Sequence, residues 1–134
     1  MTIKNLWGEL PTTQELRTPK DILVEQAQIL SDTTKRKLVG IAASQVFDKE
    51  VINDFSVVAP FLHNYEITLL QVKHSIINPY PAEVSNVIDG VRTECKDETA
   101  LEATLAMILR SNEIHRIIAM LLAQSKDYSD AYAS

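Results

Sequence analysis

The stretch from Asp54 to Ile76, DFSVVAPFLHNYEITLLQVKHSI, limits what this chain can fold into more than any other segment. It reads as a β-hairpin turning at His63-Asn64, because Asn accepts a left-handed backbone at low cost. A two-residue turn there sets Leu62 against Tyr65, Val58 against Leu69 and Phe55 against Val72. One face then carries Val58, Pro60, Leu62, Tyr65, Ile67 and Leu69. The other carries Phe55, Val57, Ala59, Phe61, Leu70 and Val72, with Glu66 and Thr68 the chief polar interruptions. Pro60 has no N–H for a ladder, so it belongs at an edge or a bulge, and a bulge exchanges the faces on one side of it. A hairpin apolar on both sides needs cover on both, and an uncovered face of that size marks an interface.

The rest of the chain supplies cover for one face. Thr18, Pro19 and Asp21 form a capping-box start for a helix running DILVEQAQIL to about Leu30, with Leu23, Ala27 and Leu30 on one stripe. Residues 37–47, KLVGIAASQVF, read as a strand whose Leu38, Gly40, Ala42, Ser44 and Val46 side is small enough to admit a closely packed helix or backbone. DKEVIND reads as a polar connection. After the hairpin, INPYPAEV breaks the chain with prolines. A strand follows over 82–88, then a turn at Asp89-Gly90 and a short strand VRTEC. The C-terminal third is helical in two parts. Asp97 caps the first, Ser111 or Asn112 recaps, and the second presents Ile114, Ile117, Ile118, Leu121 and Leu122.

These elements imply an α+β fold: an antiparallel sheet of about four or five strands, with the N-terminal helix and the C-terminal helices packed on one face. Residues 1–17 read as an irregular arm with Leu6, Trp7, Leu10 and Leu16 as anchors, residues 18–125 as one domain and 126–134 as a flexible tail. Trp7, the one tryptophan, favours an arm docked on its own domain, with docking onto another copy as the alternative.

Composition narrows function mainly by exclusion. The 134 residues carry a formal charge of −5, and the one basic cluster, Lys35, Arg36 and Lys37, reads as a solvated helix end or strand entrance. Nucleic acid is therefore not an expected partner. No run is long and apolar enough for a membrane span and no leader pattern opens the chain, so a soluble, cytoplasmic protein is expected. Cys95 is the single cysteine and reads as a partly buried bystander. His63, His74 and His115 lack ligand-spaced partners, so no metal is expected. Glu9, Glu15, Glu50 and Glu83 are scattered over loops, and the three glycines lie too far apart for a phosphate loop. No catalytic set and no cofactor follow, and the chain is read as a non-enzyme. Lys73, His74, Asn78 and Tyr80 cluster where the hairpin leaves the sheet and form a candidate rim for a small ligand.

TPKDILVEQAQIL, then APFLHNYEITLLQVKH with the following YPAEV, then a two-part C-terminal helix ending LLAQS resemble a type of small bacterial or prophage α+β protein with no assigned activity. The resemblance covers residues 18–125 and implies the fold alone. The functional expectation is an interaction protein acting as a homo-oligomer, with Trp7, Val58, Leu62, Tyr65, Ile67 and Leu69 as interface residues. The alternative is a binding or sequestering protein for a small ligand such as a nucleotide-like signal.

Overall fold

The computed structural model describes residues 3–11 and 17–133, with side chains described as far as Lys126. Its elements run α1 (Pro19–Thr33), β1 (Val39–Phe47), β2 (Glu50–Ala59), a 3-10 turn (Pro60–Leu62), β3 (Tyr65–Ser75), β4 (Ala82–Asn86), β5 (Arg92–Cys95), α2 (Glu98–Leu109) and α3 (Asn112–Ala133). The strands form one antiparallel sheet in the order β1-β2-β3-β4-β5. The fold is α+β.

Local chemistry sets the element ends. Thr18 accepts from the Asp21 N–H and Asp21 accepts from the Thr18 N–H, which satisfies two otherwise orphaned donors at the start of α1. Asp97 does the same work for α2 through the Ala100 N–H. β1 and β2 join through Asp48 and Lys49, both left-handed, at φ 48° and 65°. Two successive left-handed residues make the tight turn that matches strand twist. VIND therefore belongs to β2 and not to a connection. α3 continues to Ala133, through the segment that reads as a tail in the sequence, and no Pro or Gly interrupts it there.

The hairpin departs from its sequence reading in a way that decides the whole molecule. β2 ends before Pro60, and the turn takes Pro60 to Asn64, with Ala59 opposite Tyr65. A bulge then falls between Phe55 and Ser56, where Phe55 faces Leu70 and Ser56 faces Thr68, so Leu69 is the extra residue. The turn pairs Tyr65 and Ile67 with Ala59 and Val57, and the bulge keeps Leu70 and Val72 on that same side. Leu69 is 1% exposed. The opposite side of the hairpin keeps Val58 and Ile52 among Asp54, Ser56, Glu66, Thr68, Gln71 and Lys73. Four of them pair across the strands: the Ser56 and Thr68 hydroxyls are 2.9 Å apart, and Gln71 donates to Asp54 at 2.8 Å. The hairpin is apolar on one face, not two.

All three helices lie on that face. Gly40 of β1 backs onto α1 so closely that a Cβ there would come within 2.6 Å of the Ala27 Cα. Ile22, Leu23 and Ala27 of α1, Leu101, Leu105 and Ile108 of α2, and Ile114 and Leu121 of α3 close the core over Phe55, Val57, Leu70, Val72, Ala82 and Val84. Cys95 is buried, with its thiol 3.4 Å from the Thr104 hydroxyl.

Candidate functional site

α3 crosses the sheet without filling the space beneath it. Its central line, Ile114, Leu121 and Ser125, is buried, while Ile117, Ile118 and Leu122 are only half-buried on either side. The apolar stripe of this helix is wider than its contact with the sheet, so a cleft opens along each flank. The larger, about 660 Å³, lies between α3 and the hairpin turn and is lined by Leu62, His63, Tyr65, Ile67, Arg116, Ile117, Met120, Leu121 and Gln124. Its floor is aliphatic. Tyr65 and Met120 stand half out of it at 51% and 54% exposure. Among the described residues Arg116 and His63 are its only basic side chains, and none is acidic. The smaller cleft, about 370 Å³, runs between α3 and α1 over Phe55 and Leu69. Gln26, Leu109 and His115 carry it on toward Arg17 and Glu102.

The interface residues expected from the sequence separate. Leu62, Tyr65 and Ile67 meet on the larger cleft: the turn carries Leu62 there, and pairing opposite Ala59 and Val57 puts Tyr65 and Ile67 on the helix side of the sheet. Leu69 sits in the floor of the smaller one. Val58 is on the opposite side of the sheet, half-buried. Trp7 is 79% exposed on the arm, which makes only local bonds: the Asn5 side chain accepts from the Trp7 N–H and donates to the Gly8 carbonyl. The docked arm is thus not observed over residues 3–11. Thr12, Thr13, Glu15 and Leu16 lie outside the described residues.

The proposed ligand rim does not assemble. Lys73 and His74 are neighbours in β3 and so point to opposite faces of the sheet. His74 is buried and bonded through Nδ1 to the Ser75 carbonyl at 2.8 Å. Asn78 is exposed on the loop beyond. Tyr80 packs partly buried against the core, with its hydroxyl sealed and without a hydrogen-bond partner among the described residues. Burial, with Glu98 second, pushes the Tyr80 phenol above its ordinary pKa.

One charged constellation holds the helices together. Arg17 bonds Glu25 of α1 at 2.7 Å and Glu102 of α2 at 2.6 Å, with Glu98 at 3.5 Å. The hydrogen bonds from Arg17 hold the Glu25 carboxyl below the usual carboxylate range and raise the guanidinium in turn. All four groups are solvent-exposed, so water screens the pairs and each adds little to stability. Among the described residues no three His, Cys, Asp or Glu side chains gather as a metal site, and no helix is long and apolar enough to cross a membrane.

Sequence reasoning missed Arg116, Met120 and Gln124, which lie outside the apolar stripe it named on α3. The available signal was the breadth of the stripe Ile114, Ile117, Ile118, Leu121 and Leu122, wider than one helix can bury on a sheet. The fold and site define an α+β protein with an open apolar cleft beside α3. Comparison with protein-family models, with curated proteins and with solved structures finds no match.

Proposed function

We propose that this chain is a non-enzymatic interaction protein that works as a homo-oligomer. The observation that carries this reading is the open cleft between the hairpin turn and α3. A monomer would leave its aliphatic floor, Tyr65 and Met120 against water, and a second copy seated there would cover them. Val46, Phe47 and Met107 are at least as exposed elsewhere, at 65%, 71% and 65%. Light scattering coupled to size exclusion over a concentration series tests it. A mass above the monomer that grows with concentration is expected, and a monomer throughout removes the reading.

A second reading has one specific observation in its favour. The larger cleft falls in the size range of small-molecule sites, with Arg116, His63 and Gln124 placed around an apolar floor. That composition suits an amphipathic anion, a nucleotide-like signal included. Thermal shift against a panel of nucleotides and acidic metabolites separates the two: stabilisation that Arg116→Ala abolishes supports a ligand, and no shift across the panel ends this reading.

A further inference from the structure

The two edges of the sheet differ in kind. β5, Arg92–Cys95, is four residues long and carries Arg92 and Glu94. β1 is nine residues, VGIAASQVF, with no charge, no proline and no bulge in its pairing with β2. Sheets normally protect an edge with charge, proline or a covering element, because an open row of N–H and C=O groups pairs with other chains.

Half of the β1 edge has such cover. The Gly40 N–H donates to the Ser31 hydroxyl of α1 at 3.0 Å, and the Thr34 hydroxyl lies 3.2 Å from the Leu38 N–H and 3.0 Å from the Leu38 carbonyl. These bonds show that the even-numbered residues face outward. The tight turn between Phe47 and Glu50 agrees, since it pairs the odd-numbered residues with β2. Beyond Gly40 the cover ends. Ala42, Ser44 and Val46 have outward backbone groups with no partner among the described residues, and Val46 and Phe47 stand 65% and 71% exposed beside them.

We propose that β1 pairs with β1 of a second copy, antiparallel and two-fold symmetric about Ser44, joining the two sheets into one. The register follows from which groups are open. Ser44 meets its own symmetry mate and Ala42 meets Val46, and each pair exchanges both N–H···O bonds; no other register uses the three open residues alone. Ile41 then lies directly across from Phe47 of the other copy on the side away from the helices, twice by symmetry. An aromatic against a β-branched residue is a favourable cross-strand pair. Charge agrees as well. Lys35, Arg36 and Lys37 lead into β1, while Asp48 and Glu50 flank its exit with Lys49 between them, so antiparallel pairing brings the basic run of one copy to the acidic groups of the other. The inference deepens the homo-oligomer reading and rests on it.

Three variants of the full chain test it. Val46→Pro removes an outward N–H that no internal bond uses, and Val46→Lys puts a charge on the edge without touching the backbone. Ser44→Cys places two thiols across the symmetry axis, at the roughly 5.5 Å Cα separation of a bonded antiparallel pair, which a disulfide spans. The expected results are a dimeric wild type, at least tenfold weaker association for both Val46 variants with unchanged circular dichroism, and an oxidation-induced dimer from Ser44→Cys but not from Arg92→Cys on the opposite edge. A dimer that survives Val46→Lys and shows no Ser44→Cys linkage overturns the β1 interface and leaves self-association standing on another surface. A wild type that is monomeric throughout overturns both. If Val46→Pro does not fold, Val46→Lys and the cysteine pair decide.

Discussion

Gly40 and Ala27 meet where α1 crosses β1, and at this scale single atoms carry the argument. A methyl group on Gly40 would overlap backbone rather than a yielding side-chain tip, the nearest atoms being the Ala27 Cα at 2.6 Å and its carbonyl oxygen at 2.8 Å. Gly40→Ala is therefore expected to cost about 1–3 kcal/mol, the range for overpacking in a rigid site, read as a lower urea midpoint with an unchanged slope. Tyr80 runs the other way. Its sealed hydroxyl has no partner among the described residues, so Tyr80→Phe is expected to be neutral or to stabilise by up to about 1 kcal/mol. The sign of its pH dependence follows from burial. The folded state holds the phenolic proton beyond the pH at which the unfolded chain releases it. Its contribution is constant below the ordinary tyrosine pKa and is lost as pH rises through the higher folded value. The difference in melting temperature between wild type and Tyr80→Phe should accordingly widen only on the alkaline side. A difference constant across the alkaline range would show that the folded and unfolded phenols titrate alike.

At the scale of elements the β2–β3 bulge does most to shape the molecule. The two-residue turn expected from the sequence would set Leu69 against Val58 on a second apolar side of the hairpin. The observed turn pairs Val58 with Glu66 on the polar side, and the bulge lets Leu69 enter the core beside Leu70. The two registers predict different energetics. Leu69→Ala should cost about 2–5 kcal/mol as a buried truncation, while Val58→Thr, half-buried on the far side, should cost under about 1 kcal/mol. Comparable losses at both positions would argue for the regular ladder. α1 shows the opposite case, an element whose start was fully legible: Thr18, Pro19 and Asp21 form the cap that their spacing implies. Helix caps are readable because donor and acceptor lie within three residues of each other. A bulge is settled by what both strands pack against, and nothing in TLLQ announces it.

For the whole molecule the question is what α3 leaves open. The helix rests on the sheet along a narrow line, and the clefts beside it are apolar enough to take up a hydrophobic dye. Wild-type protein is expected to enhance the fluorescence of anilinonaphthalene sulfonate under native conditions, and Ile117→Glu, at the wall of the larger cleft, to abolish most of that signal while keeping the helical circular dichroism. An unchanged signal would place the dye elsewhere and weaken the cleft as the contact surface. The site was partly legible. Leu62, Tyr65 and Ile67 were named from their alternation and do share the cleft, whereas Arg116, Met120 and Gln124 come from a helix whose seating no local pattern reports.

The sequence by itself determined the α+β class, the sites of helix initiation, the presence of the hairpin and the small-residue side of β1, because each rests on periodicity or on contacts within a few residues. Only the tertiary structure decided how many faces of the hairpin are apolar, where α3 lies and which edge residues remain unpaired. Those outcomes depend on pairing register and on bonds between distant segments: Leu69 against a bulged ladder, Ser31 on the Gly40 N–H, Ile117 beside Ile67. The segment Asp54–Ile76 pointed to association through its own second face. The observed register leaves no second apolar face there, and the uncovered surfaces lie instead in the clefts beside α3 and along the open half of β1.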